Sequence, residues 1–205
     1  MSLLSTNSKL QRNFYTGELL RTASNLLGKI IVKKEKRKFL EAMIVEVEAY
    51  DGSFDEAAHS FKGITERTKV MFNEGGYLYV YFTYGAHFCA NVVTGKSGEG
   101  KAILIRAVEP LNHIELLSQN RYDKTNISEK EKLNLTSGPG KFCQAYGITK
   151  IFNGTDLTGD KIFLLDNKKV KSANIEVRRR IGITKSIELP WRFYIKDNPY
   201  VSKRS

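Results

Sequence analysis

The stretch Val45-Glu46-Val47-Glu48-Ala49-Tyr50 carries a glutamate beside an aromatic ring at the end of a β-rich run. A carboxylate on the inner face of a strand end can serve as a general base. An isolated strand glutamate is more commonly a solvent-facing carboxylate, so at Glu48 both readings stay open on the residues alone. Just beyond lie Asp51, Asp55, Glu56 and His59, an acidic cluster in a basic chain. Metal binding is one use for such a cluster, but a single His at irregular spacing matches no standard ligand set.

A second group is aromatic. Tyr77, Tyr79 and Tyr81 alternate along a run that reads as a strand, so they project to one side. Core packing with hydroxyls bonded at the edge accounts for some of them. Tyr84 is different, because it falls at the tip of an expected hairpin, just before Gly85. A large ring there has little to pack against unless it enters a partner. Wedges of this kind unstack duplex DNA, and exposed rings stack on bases.

Two further groups suit phosphate. Ser137-Gly138-Pro139-Gly140-Lys141 reads as a helix start, where free backbone N–H groups bind anions and glycines permit close approach. The same residues also make an ordinary turn and cap. Arg106, Arg178, Arg179, Arg180 and Arg192 form either a solvated face or, taken together, a phosphate-binding surface. A carboxylate, aromatic plates, a wedge and phosphate contacts are what chemistry on an extruded nucleotide requires.

The elements that must position these groups can be read from pattern. Residues 15–27 place Leu19, Leu20, Ala23, Leu26 and Leu27 on one helical face, with Gly28 as the stop. Two β-rich runs then flank a charged KKEKRK turn. In the second run strict alternation puts Ile44, Glu46 and Glu48 on one face and Val45 and Val47 on the other. GGYLYVYFTYGAHFCANVV reads as two strands around a tight turn at Tyr84-Gly85, and KAILIRAVEP as a strand ended by Pro110. A helix is expected over 111–121 and a mobile loop over 118–136. A helix opens at Pro139 with Phe142, Cys143 and Tyr146 on one face and Gly147 at its end. KIFLLD, ANIEVRRRIGI and WRFYI supply further strands. The sum is a mixed α/β (α+β) fold with antiparallel pairing.

The chain has 205 residues, of which 41% are hydrophobic and 11% aromatic, enough for one well-packed domain over 1–205 with a flexible N-terminus at 1–13. Lys and Arg number 33 and Asp and Glu 22, a net charge of +11 that fits a polyanionic partner. No apolar run reaches the ~18 residues of a membrane span, and the N-terminal residues lack a signal-peptide pattern. A cytoplasmic, nucleoid-associated location is expected. Cys89 and Cys143 read as buried reduced thiols; two distant cysteines cannot form a structural zinc site or the PCxxC pair of a zinc base deaminase.

Six stretches, in order, resemble the alkyladenine (3-methyladenine) DNA glycosylases of the mammalian AAG/MPG type, which include bacterial members. They are VEVEAYDGSFDEAAHS at 45–60, MFNEGGYLYVYFTYGAHFCANVV at 71–93, AILIRAVEPL at 102–111, SGPGKFCQAYGI at 137–148, and RRIGI with RFYI near the end. The resemblance implies a single compact domain with a protruding, DNA-intercalating β-hairpin. It implies hydrolysis of the N-glycosidic bond of alkylated or deaminated purines in duplex DNA, leaving an abasic site, with no metal or organic cofactor. The implied partner is duplex DNA containing damaged purines, for a monomer with no membrane association and no obligate protein partner.

Residue by residue, the resemblance makes Glu48 the general base. Tyr50, His59 and Tyr81 become the walls of the base pocket, and Tyr84 the wedge. Asn91 crowds the purine 2-position against guanine, whose amine sits there. Arg106 positions the water and a nearby phosphate, and the Ile181 carbonyl helps hold the water. Ser137, Gly138, Gly140 and Lys141 take a DNA phosphate. It assigns no role to Trp191 or to the lysine-rich 118–136 segment. Two rivals remain from the residues alone: a damage-sensing DNA binder, against which the presence of Glu48 argues, and an RNA-binding module, suggested by charge.

Overall fold

In the computed structural model, which describes residues 7–83 and 85–202, the described strands form one nine-stranded sheet. β1 (Ile30–Glu35) and β2 (Lys38–Asp51) pair antiparallel around Lys36-Arg37, a tighter turn than the whole charged run, and Lys33 is buried within β1. β3 (Tyr77–Thr83), β4 (His87–Thr94) and β5 (Lys101–Pro110) follow as successive antiparallel neighbours, and β5 pairs back onto β2. The two-residue β6 (Thr155–Asp156) flanks β3, and β7 (Ile162–Leu165) flanks β1. β8 (Ile175–Arg178) and β9 (Arg192–Ile195) complete the sheet, with β9 pairing with Glu46–Glu48 of β2 beyond the end of β1.

Period-two alternation sorts the sheet into two chemically different faces. Leu78, Val80, Ala90, Val92, Ile103 and Ile105 belong to the main apolar core, which α2 (Leu19–Leu26) and α5 (Pro139–Ala145) cover. The intervening residues Tyr79, Tyr81, Cys89, Asn91, Leu104 and Arg106 line a cavity on the opposite side. Removing a core leucine such as Leu26 would cost about 2–5 kcal/mol, since its site cannot collapse fully.

Alternation fails at one place, and the failure matters. The β2–β5 register shifts on each side of Glu46. Ile44 and Val47 both enter the main core, as do Ile105 and Val108 across from them. Val45 and Ala107 instead pack with Tyr200, while Glu46 bonds Arg106. The expected sharing of one face by Ile44, Glu46 and Glu48 is therefore corrected: an irregularity of the β-bulge kind turns two consecutive residues of each strand to the same side. Arg106 thereby stands beside both Glu46 and Glu48.

Several other expectations are revised. The helix read over 15–27 is the shorter α2, which Glu18 caps by accepting hydrogen bonds from the Leu20 and Arg21 amides at 2.9 and 2.8 Å, and a separate turn of helix, α1 (Arg12–Tyr15), precedes it. Of the N-terminal stretch expected to be flexible at 1–13, residues 1–6 lie outside the described residues; from Ser8 the backbone is hydrogen-bonded to the segment around β7, the Ser8 carbonyl accepting from the Asp166 amide at 2.7 Å and the Leu10 amide donating to Leu164 at 2.8 Å. The 118–136 segment is not loop throughout. It contains the end of α3 (Ile114–Tyr122) and all of α4 (Glu129–Asn134), where Ser128 and Glu131 form a reciprocal capping box. That SxxE pattern was present in the sequence and outweighs the polar composition. Among the described residues, no helix is long and apolar enough to cross a membrane.

Candidate active site

A cavity of about 760 Å³ opens on the polar face of the sheet. Tyr50, His59, Tyr81, Asn91, Arg106 and Ile181 line it, so the fold brings together residues scattered over 132 positions of sequence, from 50 to 181. Gly138, Gly140 and Lys141, at the start of α5, line its other end. Gly140 must be a glycine there: an added Cβ would stand 2.9 Å from the His87 Cβ. Ser137 turns its hydroxyl to Asn134 at 3.3 Å, and the Lys141 ammonium contacts the same Asn134 side chain. Tyr84 lies outside the described residues.

Glu48 is completely buried, directly beneath this wall. Its Oε1 accepts the backbone N–H of Ile181 at 2.7 Å. Its Oε2 accepts the Tyr50 hydroxyl at 2.9 Å and Arg106 Nη1 at 3.2 Å. Three donors from three segments fix the carboxylate in one orientation, and the charge-assisted bonds offset the cost of its burial. Burial, reinforced by the adjacent carboxylate, raises the Tyr50 hydroxyl well above the ordinary tyrosine range, so it remains a donor. Burial opposes the charge on Arg106, but Glu48 and Glu46 outweigh it and raise its proton affinity.

The aromatic wall is a connected set. Tyr79 and Tyr81 stack at 5.5 Å, and the His59 ring meets Tyr81 edge-on at 4.4 Å. His59 Nδ1 and the Tyr79 hydroxyl share a 3.2 Å hydrogen bond. Although the His59 ring is partly open to the cavity, burial, with the Arg67 charge adding to it, holds its pKa down at about 4. The imidazole is neutral at physiological pH. Asn91 is buried and donates through Nδ2 to the Tyr79 carbonyl at 3.1 Å, which fixes its side chain at the pocket edge.

The structure also shows what the residues alone did not. Arg180, read as part of a surface, is buried and grips Asp55 through both Nη atoms, while its guanidinium lies 4.6 Å over the Tyr50 ring. Arg192 is fully buried against Glu46 at 2.7 Å. Arg178 and Arg179 remain exposed. The acidic cluster has an ionic explanation: Asp55 holds Arg180, Glu56 holds Lys185 at 2.6 Å, and Asp51 caps Ser53. The Asp55 and Glu56 pairs tie residues 51–60 to residues 180–186 beside the cavity. Nothing local announces a partner 125 positions away. Tyr79, by contrast, stood out with Tyr81 in the alternating run, and Glu46 is one strand period from Glu48.

The sequence matches the family model described as "Methylpurine-DNA glycosylase (MPG)" over residues 13–199. It is 48% identical to a protein of Alkaliphilus oremlandii over 96% of this chain and 100% of that one. A Clostridium novyi protein is also 48% identical, over 96% and 99%, and one from Carboxydothermus hydrogenoformans is 44% identical, over 95% and 99%. All three carry the provisional name 3-methyladenine DNA glycosylase.

Proposed function

This chain belongs to the methylpurine-DNA glycosylase family, and from that premise we propose that it flips a damaged purine out of duplex DNA and hydrolyses its N-glycosidic bond with a water activated by Glu48. The observation that carries the reading is the buried Glu48 carboxylate, held by Ile181, Tyr50 and Arg106 under a cavity walled by stacking rings. A merely structural DNA binder has no use for a fixed negative charge there, where phosphate approaches.

In this reading the basic chain first engages DNA through phosphate contacts that do not depend on sequence. Tyr84 enters the stack as the target nucleotide rotates out. Unpairing costs a few kcal/mol and least at a lesion that pairs poorly. The purine stacks among Tyr50, His59 and Tyr81, and Asn91 meets its 2-position. Gly138, Gly140 and Lys141, with Ser137 behind them, take a phosphate at the cavity's other end.

Glu48 does not itself line the cavity and is reached past Arg106 and Ile181, which do; its Oε1 receives a single donor, and a carboxylate oxygen has capacity for a second. A water held there donates its proton to Glu48 while its oxygen bonds to C1′ of the sugar. The C1′–N bond breaks, and its electron pair leaves with the base. The carboxylate also stabilises the oxocarbenium-like transition state. Arg106 and the Ile181 carbonyl, 3.5 Å apart, complete the water's surroundings. A purine alkylated at N3 or N7 carries positive charge and departs neutral; deaminated hypoxanthine needs a proton as well. Because water is the nucleophile, the product is an abasic site in an uncut strand.

The test is single-turnover excision from a duplex bearing one hypoxanthine, alongside methylpurine release from alkylated DNA, with abasic sites revealed by alkali. Wild-type excision, its loss in Glu48→Gln, weaker lesion capture in Tyr84→Ala and no borohydride-trapped adduct are expected. Normal excision by Glu48→Gln would sink the base assignment. A trapped adduct would replace water with an amine nucleophile.

A further inference from the structure

We propose that Ser202, acting with Glu46, is a positioning residue for base excision: together they lock the Arg106 guanidinium so that its remaining arm reaches Glu48. The inference rests on the Glu48 reading above and extends the site to the C-terminal segment, beyond the residues matched by the family model.

After β9 the chain turns back over the β2–β5 pair. Asn198 Nδ2 donates to Glu109 at 2.7 Å, and Tyr200 is buried against Val45 and Ala107, the residues that the strand irregularity turns to this side. Ser202 then meets Glu46 twice. Its backbone N–H donates to Oε2 at 2.7 Å, and its hydroxyl donates to Oε1 at 3.0 Å. The same hydroxyl oxygen accepts Arg106 Nη2 at 3.4 Å, while Arg106 Nε donates to Glu46 Oε1 at 3.1 Å. Arg192 holds Oε1 from the other side at 2.7 Å.

A guanidinium is a rigid planar fork. Binding its Nε and Nη2 therefore decides where Nη1 points, and Nη1 points at Glu48 Oε2, 3.2 Å away. The fully buried Glu46 is poorly explained by stability alone, because apolar residues often replace buried ion pairs at no loss. Geometry gives it a use: it converts the docking of the C-terminal segment into the orientation of a group beside the reacting water. Ser202 touches neither that water nor DNA in this scheme.

The test compares full-length Ser202→Ala, Ser202→Thr and wild type in single-turnover excision, lesion-duplex binding and thermal unfolding. Ser202→Ala should lower the rate about fivefold, the factor one ordinary hydrogen bond supplies. Affinity should stay at the wild-type value, the unfolding temperature should fall by no more than the few degrees that one lost hydrogen bond accounts for, and Ser202→Thr should restore the rate. Glu46→Gln, checked for native circular dichroism, should lose more. A wild-type rate in Ser202→Ala overturns the proposal, and so does a fall of rate and affinity in step, which a merely structural role would give. Glu48→Gln runs in the same assay. If it is inactive while Ser202→Ala is normal, only this inference fails; if it excises normally, the base assignment falls and takes this inference with it.

Discussion

The amide of Ile181 donates a 2.7 Å hydrogen bond to Glu48 Oε1, joining residues 133 positions apart. That bond makes the 180–186 segment part of the carboxylate's support. The resemblance had directed attention to the Ile181 carbonyl; the fold adds the N–H. The backbone of one residue, through two successive peptide units, both holds the carboxylate and approaches the neighbouring guanidinium, since its carbonyl lies 3.5 Å from Arg106 Nη1.

Tyr50→Phe separates two jobs of one side chain. In the proposed reading the ring remains to stack on the purine, but the 2.9 Å donor to Glu48 is lost. The single-turnover rate should fall about tenfold, in keeping with a hydrogen bond to a charged group, while affinity for a lesion duplex holds. A parallel loss of affinity would mean that the hydroxyl serves the pocket rather than the carboxylate.

Asp55→Asn removes the counter-charge of buried Arg180. Breaking one side of a buried pair costs about 3–5 kcal/mol, so thermal unfolding should drop by about 10 °C for a chain of this size. Excision should decline too, since Arg180 lies over the Tyr50 ring. An unfolding temperature within a degree of wild type would refute the ionic-tie account of the acidic cluster.

His59 gives stability a defined pH dependence. Its pKa is about 4 in the folded protein against an ordinary 6.5. Between those values the unfolded chain binds more protons, so stability rises with pH. The contribution is complete above about 6.5 and is lost as pH falls toward 4. Urea midpoints measured from pH 4 to 7 should show a shallower acid decline in His59→Asn than in wild type; identical slopes would exclude His59 as the source.

Asn91→Ala should relax discrimination at the purine 2-position. The amide now held by the Tyr79 carbonyl would be gone, leaving room for an exocyclic amine. Release of unmodified guanine from undamaged duplex should rise, at a stability cost of about 1 kcal/mol for the lost hydrogen bond. Unchanged guanine release would assign discrimination elsewhere.

Much of the fold was legible because its signals are local. Period-two runs marked β3, β4 and β5, and β5 ends at Pro110 as expected. Pro139 and Gly147 bracket α5 as the helix start and stop signals require. The capping box at Ser128 was equally local, yet a polar composition obscured it.

The residue types of the site, and the strand period that sets Tyr79 and Tyr81 on one side and Leu78 and Val80 on the other, were determined by the sequence itself. Tertiary structure alone decided which arginines are buried in ion pairs and which remain at the surface. It alone seated the Ile181 amide on Glu48 and Ser202 on Glu46. The physical reason is that side-chain alternation is imposed by covalent geometry over neighbouring residues. Pairing across 125 or 156 positions depends instead on which groups the packed core leaves facing one another, and on whether each buried charge then finds its partner.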